Sequence, residues 1–101
     1  MRYTTVNIAE TGKYADDEYA TFSDVEFLPA VIMEELPSGK LGLIDGYHRI
    51  ASARALGYTE VNVVVVNEEE LDLCSEFGSG DMSEAEWIEW VESQYDQRLV
   101  D

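Results

Sequence analysis

Basic side chains are scarce in this sequence: 6 lysines and arginines stand against 22 acidic residues in 101, for a formal net charge of −16. Such a surface repels phosphate backbones at long range, which disfavours nucleic-acid binding through the surface as a whole. A single cysteine, Cys74, excludes an intramolecular disulfide and agrees with a reducing compartment. Its acidic neighbours Asp72 and Glu76 disfavour a thiolate, so an inert thiol is expected. One histidine and one cysteine, far apart, do not make a zinc site of the usual kind, and no metal ligands are assigned. No apolar run approaches the roughly 18 to 20 residues that span a bilayer. The opening Met1-Arg2-Tyr3-Thr4-Thr5 lacks the apolar stretch of a secretion signal. A cytoplasmic protein without membrane contact is expected. No internal repeat or linker rich in Pro, Gly or Ser divides the chain, so residues 1–101 read as one domain.

What is present suffices for one core: 46% of the residues are hydrophobic and 11% aromatic. The β-branched run Tyr3 to Ile8 predicts a first strand ahead of a turn at Thr11-Gly12-Lys13. Tyr14 to Asp24 is acidic and aperiodic, and reads as loop or short helix. Val25 to Leu36 carries the apolar run Phe27 to Met33, with Pro29 suited to a strand entrance. Pro37-Ser38-Gly39-Lys40 has turn composition and Leu41, Leu43 and Ile44 resume an extended pattern, so a hairpin is expected. Helix formers from Tyr47 to Leu56 end at Gly57, a residue suited to a left-handed C-cap. Val61 and Val63 to Val66, interrupted by Asn62, predict a central strand apolar on both faces. The helix between them is expected to join parallel neighbours. After an acidic loop from Glu68 to Gly80, with a helical turn between Leu71 and Phe77, Ser83 and Glu86 stand in capping-box spacing. They open a helix with the apolar face Trp87, Ile88, Val91, Tyr95 and Leu99. The fold class is therefore α+β: a small mixed sheet with a strand-turn-helix-strand core over residues 41–66 and a C-terminal amphipathic helix.

The junction Leu43-Ile44-Asp45-Gly46-Tyr47-His48-Arg49-Ile50-Ala51-Ser52 concentrates the residues suited to chemistry. Glycine allows a sharp turn, the first N–H groups of a helix are unpaired, and the macrodipole favours an anion there. His48 can exchange hydrogen bonds with a phosphate, and Arg49 offers a planar fork of donors. Asp45 could hold the magnesium of a nucleotide or act as a base towards a hydroxyl, which makes it the candidate catalytic residue. The competing reading makes Asp45 or Gly46 a helix cap, Arg49 an ordinary ion-pair partner and His48 a hydrogen-bonded interior residue.

The pattern of hairpin strand, Asp-Gly-X-His-Arg, small-residue helix, Leu-Gly and valine-rich strand resembles the ParB-like domains of the ParB/sulfiredoxin superfamily over residues 28–66. The resemblance implies a small α+β domain whose turn and helix receive nucleotide phosphates. Gly46, His48 and Arg49 match the phosphate-contacting part of the motif, and Ser52 lies one turn further on. The resemblance implies a nucleoside triphosphate with magnesium as cofactor or substrate, in a phosphotransferase or nucleotide hydrolase. Sulfiredoxins place their catalytic cysteine directly before the His-Arg pair, where this chain has Tyr47, so sulfinic acid repair is not expected. The arginine-rich motif and helix-turn-helix domain of partition ParB proteins are both missing, and centromere binding is not expected either.

A non-enzymatic reading stands beside this one. Residues 40–66 hold Lys40, Arg49 and Arg54 against Asp45 and Glu60, so a near-neutral island sits within an acidic shell. Dense carboxylates on a compact fold can imitate a phosphate backbone and occupy the groove of a basic nucleic-acid-binding protein, as phage and plasmid inhibitors do. On that reading the Trp87 and Trp90 face is a candidate partner surface, and against it stands ordinary packing of the helix on the sheet.

Overall fold

The computed structural model describes residues 1–15 and 17–101. Four strands form one mixed sheet in the order β1-β4-β2-β3, with β1 Arg2–Asn7, β2 Val31–Glu35, β3 Leu41–Asp45 and β4 Glu60–Val66. The α+β class expected from the sequence is the class observed. The valine strand β4 lies between antiparallel β1 and parallel β2, and every residue from Val61 to Val66 is buried. Odd-numbered valines face one core with Val31, Met33, Ile50, Ala53 and Leu99. Val64 and Val66 face a second core with Ala30, Ile32, Cys74, Trp87 and Val91. Each buried valine contributes about 1.5 to 3 kcal/mol relative to exposure, which is why this strand takes the middle of the sheet.

The connection after the hairpin departs from expectation. The helix α1, Tyr47–Ala55, joins β3 to β4, but β2 lies between those strands and they run in opposite directions. The tight turn at residues 36–40 forces β3 onto one edge of β2, so β4 must take the other. The helix therefore leaves and rejoins the sheet at the Val31 end of β2. Its nine residues reach about 13.5 Å, enough to cross two strand spacings of about 4.8 Å. A Schellman-type stop closes it: Tyr58 N–H donates to the Ala53 carbonyl, Gly57 N–H to that of Arg54, and Gly57 adopts φ +96°.

Other boundaries shift as well. The turn expected at Thr11-Gly12-Lys13 falls inside a 3₁₀ helix, Ile8–Ala15, and a second follows at Asp17–Tyr19. Asp16, within the expected loop, lies outside the described residues. The apolar run before the hairpin becomes strand only from Val31, because Asp24 Oδ1 accepts from Glu26 N–H and Val25 O from Leu28 N–H to make a turn that leaves Phe27 89% exposed. The helical turn in the acidic loop comes earlier than expected, as α2, Glu68–Leu71, with a reciprocal capping box between Asn67 and Glu70.

The capping box of Ser83 and Glu86 opens α3, Glu84–Glu92, as the sequence predicts. The helix does not continue to Leu99. Gln97 donates to the carbonyls of Val91 and Glu92 and closes the last turn, and residues 98–101 instead run beside the start of β4. There Leu99 N–H donates to Leu28 O and Leu99 O accepts from Asn62 N–H, so Leu99 belongs to the core on the opposite face of the sheet from α3. Trp87 is fully buried, with its indole N–H on the Glu70 carbonyl at 2.8 Å, and Trp90 is half-buried against the same core. That corrects the partner-surface reading for Trp87, which holds α3 on the sheet with no part of its ring open to a partner. Among the described residues no helix is long and apolar enough to cross a membrane.

Candidate functional site

The turn between β3 and α1 is shaped by one extra residue. Met33 stands opposite Leu43 but Ile32 stands opposite Asp45, so Ile44 is a bulge in β3. A bulge changes the direction of the residues after it. Asp45 is thereby brought onto the face of Ile32, where α3 packs. Gly46 then turns the chain with φ +118°, a conformation that side chains other than glycine's rarely adopt, and α1 begins at Tyr47 with no side chain capping it. The N–H groups of His48 and Arg49 have no hydrogen-bond partner among the described residues.

Gly46 is required for a second reason. A Cβ at this position would lie 2.8 Å from Arg49 Nη2, 3.0 Å from Nε and 3.1 Å from Val31 Cγ2. The guanidinium thus packs against the bare glycine backbone. Arg49 Nη2 reaches Asp45 Oδ2 at 3.2 Å, with the arginine side chain 13% exposed. Its Nε is buried and makes no hydrogen bond among the described residues. Arg49 is thus an ion-pair partner, as the competing reading has it, with its guanidinium beside Gly46 at the start of the helix.

His48 donates from Nδ1 to the Tyr19 carbonyl at 2.9 Å, since a carbonyl can only accept. Its ring lies 4.2 Å from that of Tyr47 and 6.1 Å from that of Tyr19, which meets Tyr47 edge-on at 5.3 Å. With Nδ1 committed, Nε2 offers a proton to an anion only in the imidazolium form. Ser52, by contrast, is not part of the opening. Its hydroxyl is fully buried and accepts the N–H groups of Thr21 at 3.0 Å and Phe22 at 2.9 Å, tying the preceding loop to α1.

Glu92, on the last turn of α3, joins this site from the far end of the sequence. Burial is the main cause of its raised pKa, opposed by the nearby charge of Arg49 and reinforced by those of Asp45 and Glu89. Nothing in the sequence distinguishes Glu92 among the 12 acidic residues after position 66; only the packing of α3 does. Arg49 is thus paired with Asp45 and lies near enough to Glu92 for the two charges to be felt. A carboxyl whose folded pKa lies above its ordinary value of 4.5 destabilises the fold when ionised, and the penalty is relieved as pH falls through the folded value. Glu92→Gln should stabilise the domain at pH 7, by less than about 1 kcal/mol for a group only partly buried, and leave it unchanged near pH 4, as thermal melts at the two pH values would reveal.

Compared with known proteins, the chain matches no family model, no curated protein and no solved structure, so the chemistry of the site rests on its own geometry.

Proposed function

We propose that this domain binds a nucleotide as its magnesium complex at the opening of α1. The observation that carries the reading is the uncapped start of that helix, where a positive-φ glycine leaves the His48 and Arg49 N–H groups without partners among the described residues, in front of the Arg49 charge. Backbone donors at the positive end of a helix dipole are a recurrent receptor for phosphate. The ParB/sulfiredoxin resemblance of residues 28–66 supports the same assignment for Gly46, His48 and Arg49.

Magnesium is included because of the local charge. Asp45 and Glu92 together outweigh Arg49, so a bare polyphosphate is disfavoured, whereas a nucleotide carrying its own cation is not. In this reading Asp45 faces the metal, Arg49 sets the potential from behind the turn, and His48 adds a donor when protonated. Transfer of a phosphoryl group would require an acceptor in addition.

Calorimetric titration of ATP, CTP, GTP and ADP, with and without magnesium, tests the reading. The wild type should bind at least one of them in the magnesium form. Arg49→Ala combined with His48→Ala should weaken that binding by about tenfold to a hundredfold, the range expected when a nearby positive charge and one hydrogen-bond donor are lost together. Circular dichroism on the double variant separates loss of binding from loss of fold. No binding by the wild type would overturn the proposal and bring forward the acidic mimic of a nucleic acid, with a basic protein as its partner.

A further inference from the structure

A second site is independent of the nucleotide reading and lies at the other end of β3. The short helix α1 covers the Val31 end of the sheet and leaves the hairpin end of that face without a helical roof. A hollow of about 530 Å³ opens there between β1, the first 3₁₀ helix and the hairpin turn. That volume falls within the range that holds small organic ligands, about 300 to 1,000 Å³.

The lining has two halves. Val6, Met33 and Leu41 form an apolar wall and floor; Met33 is buried in the core below, and its unbranched thioether adapts to a body packed on it. Arg2 and Lys40 stand with them, facing one acidic residue, Glu10. Two of the chain's six basic side chains thus line one hollow, where the described lining residues sum to +1 in a molecule of −16. A positive site with low-dielectric walls concentrates anions even against an unfavourable overall charge.

Both cations are available for a ligand. Arg2 approaches Glu35 at 3.7 Å, but each side chain is more than half exposed, and such pairs are weak. Lys40 has no ion pair among the described residues. We propose that this hollow binds a small organic monoanion with an apolar body, a carboxylate on an aryl or alkyl group, its charge held by Arg2 and Lys40 and its body laid on Val6, Met33 and Leu41. The single excess positive charge among the described lining residues suits a monoanion; a polyphosphate would meet Glu10.

The probe is 4-phenylbutyrate, titrated into the ¹⁵N-labelled full chain and followed by backbone amide shifts. Expected are saturable movements at Val6, Glu10, Met33 and Lys40 with the amides of His48 to Ser52 unmoved, and at least tenfold weaker binding of the neutral 4-phenylbutyramide. Arg2→Gln with Lys40→Gln, both at exposed positions that leave the core untouched, should weaken the carboxylate about tenfold, the loss expected for one charge-assisted contact. No saturable shift up to about 10 mM, a range that still detects weak complexes, overturns the site. Equal binding of acid and amide overturns the role given to Arg2 and Lys40, and movements confined to α1 would assign the anion to the nucleotide site instead.

Discussion

Gly46→Ala should lower the stability of the domain by about 2 to 4 kcal/mol, combining a disallowed backbone conformation with displacement of a packed side chain. For a chain of this size that corresponds to a fall in Tm of roughly 10 °C or more. The molecule contains its own control. Gly57 also has positive φ, at +96°, but a Cβ there would meet nothing within 4 Å, whereas at Gly46 it meets the Arg49 guanidinium. Gly57→Ala therefore isolates the conformational cost, about 1 to 2 kcal/mol. The difference between the two variants in chemical denaturation measures how firmly the guanidinium resists displacement. Equal losses would mean that Arg49 swings aside freely, and the packing of arginine on glycine would then not define the turn.

Trp87→Ala should cost about 3 to 5 kcal/mol, the range for deleting a large aromatic from a closed core. The ring is fully buried among Ile32, Val64, Val66 and Val91, and Phe77 meets it edge-on at 5.3 Å. The deletion also leaves the Glu70 carbonyl without its indole donor. Trp87→Phe keeps part of the volume and loses that bond, so it should fall between wild type and alanine. Trp90→Ala, at a half-buried site, should cost less than either. Urea denaturation of the three variants gives the order, and an indifferent Trp87→Ala would return this tryptophan to the partner surface.

The two helices show how far sequence carries and where it stops. Local signals were sufficient wherever an element is determined by its own residues: the Ser83 and Glu86 box, the Gly57 stop and the doubly apolar β4 all stand where their patterns place them. Tertiary arrangements were not legible. The periodicity of Trp87, Ile88, Val91, Tyr95 and Leu99 fits one long helix, but Gln97 closes the helix early and Leu99 crosses to the other core, a result of competition between packing partners that no spacing records. The strand-helix-strand order likewise suggests parallel neighbours until the hairpin occupies one side of β2. At the candidate site, Asp45, Gly46, His48 and Arg49 come together because they are adjacent in the chain, with the bulge at Ile44 setting the direction of Asp45. Helical spacing places Ser52 equally well, yet it is claimed by two backbone N–H groups from a loop whose position only the fold supplies. Glu92 arrives from the opposite direction, across the second core.

Asn62 interrupts the valines of β4, and its contacts give that interruption a meaning. Its side-chain oxygen accepts from the Thr5 hydroxyl at 2.7 Å, and its amide nitrogen donates to Arg98 O at 3.0 Å and to the Asp101 carboxylate at 2.9 Å. A run of identical residues carries little positional information: in a slip of β4 by two places that carries Asn62 to the position of Val64, Val63 and Val64 would still fill the positions of Val65 and Val66. Such a slip would draw the Asn62 amide away from all three partners and into an apolar layer, at a cost of several kcal/mol for a buried amide left unpaired. One polar residue thus acts as the index mark on an otherwise unmarked ruler, and the alignment of the whole sheet is read from it.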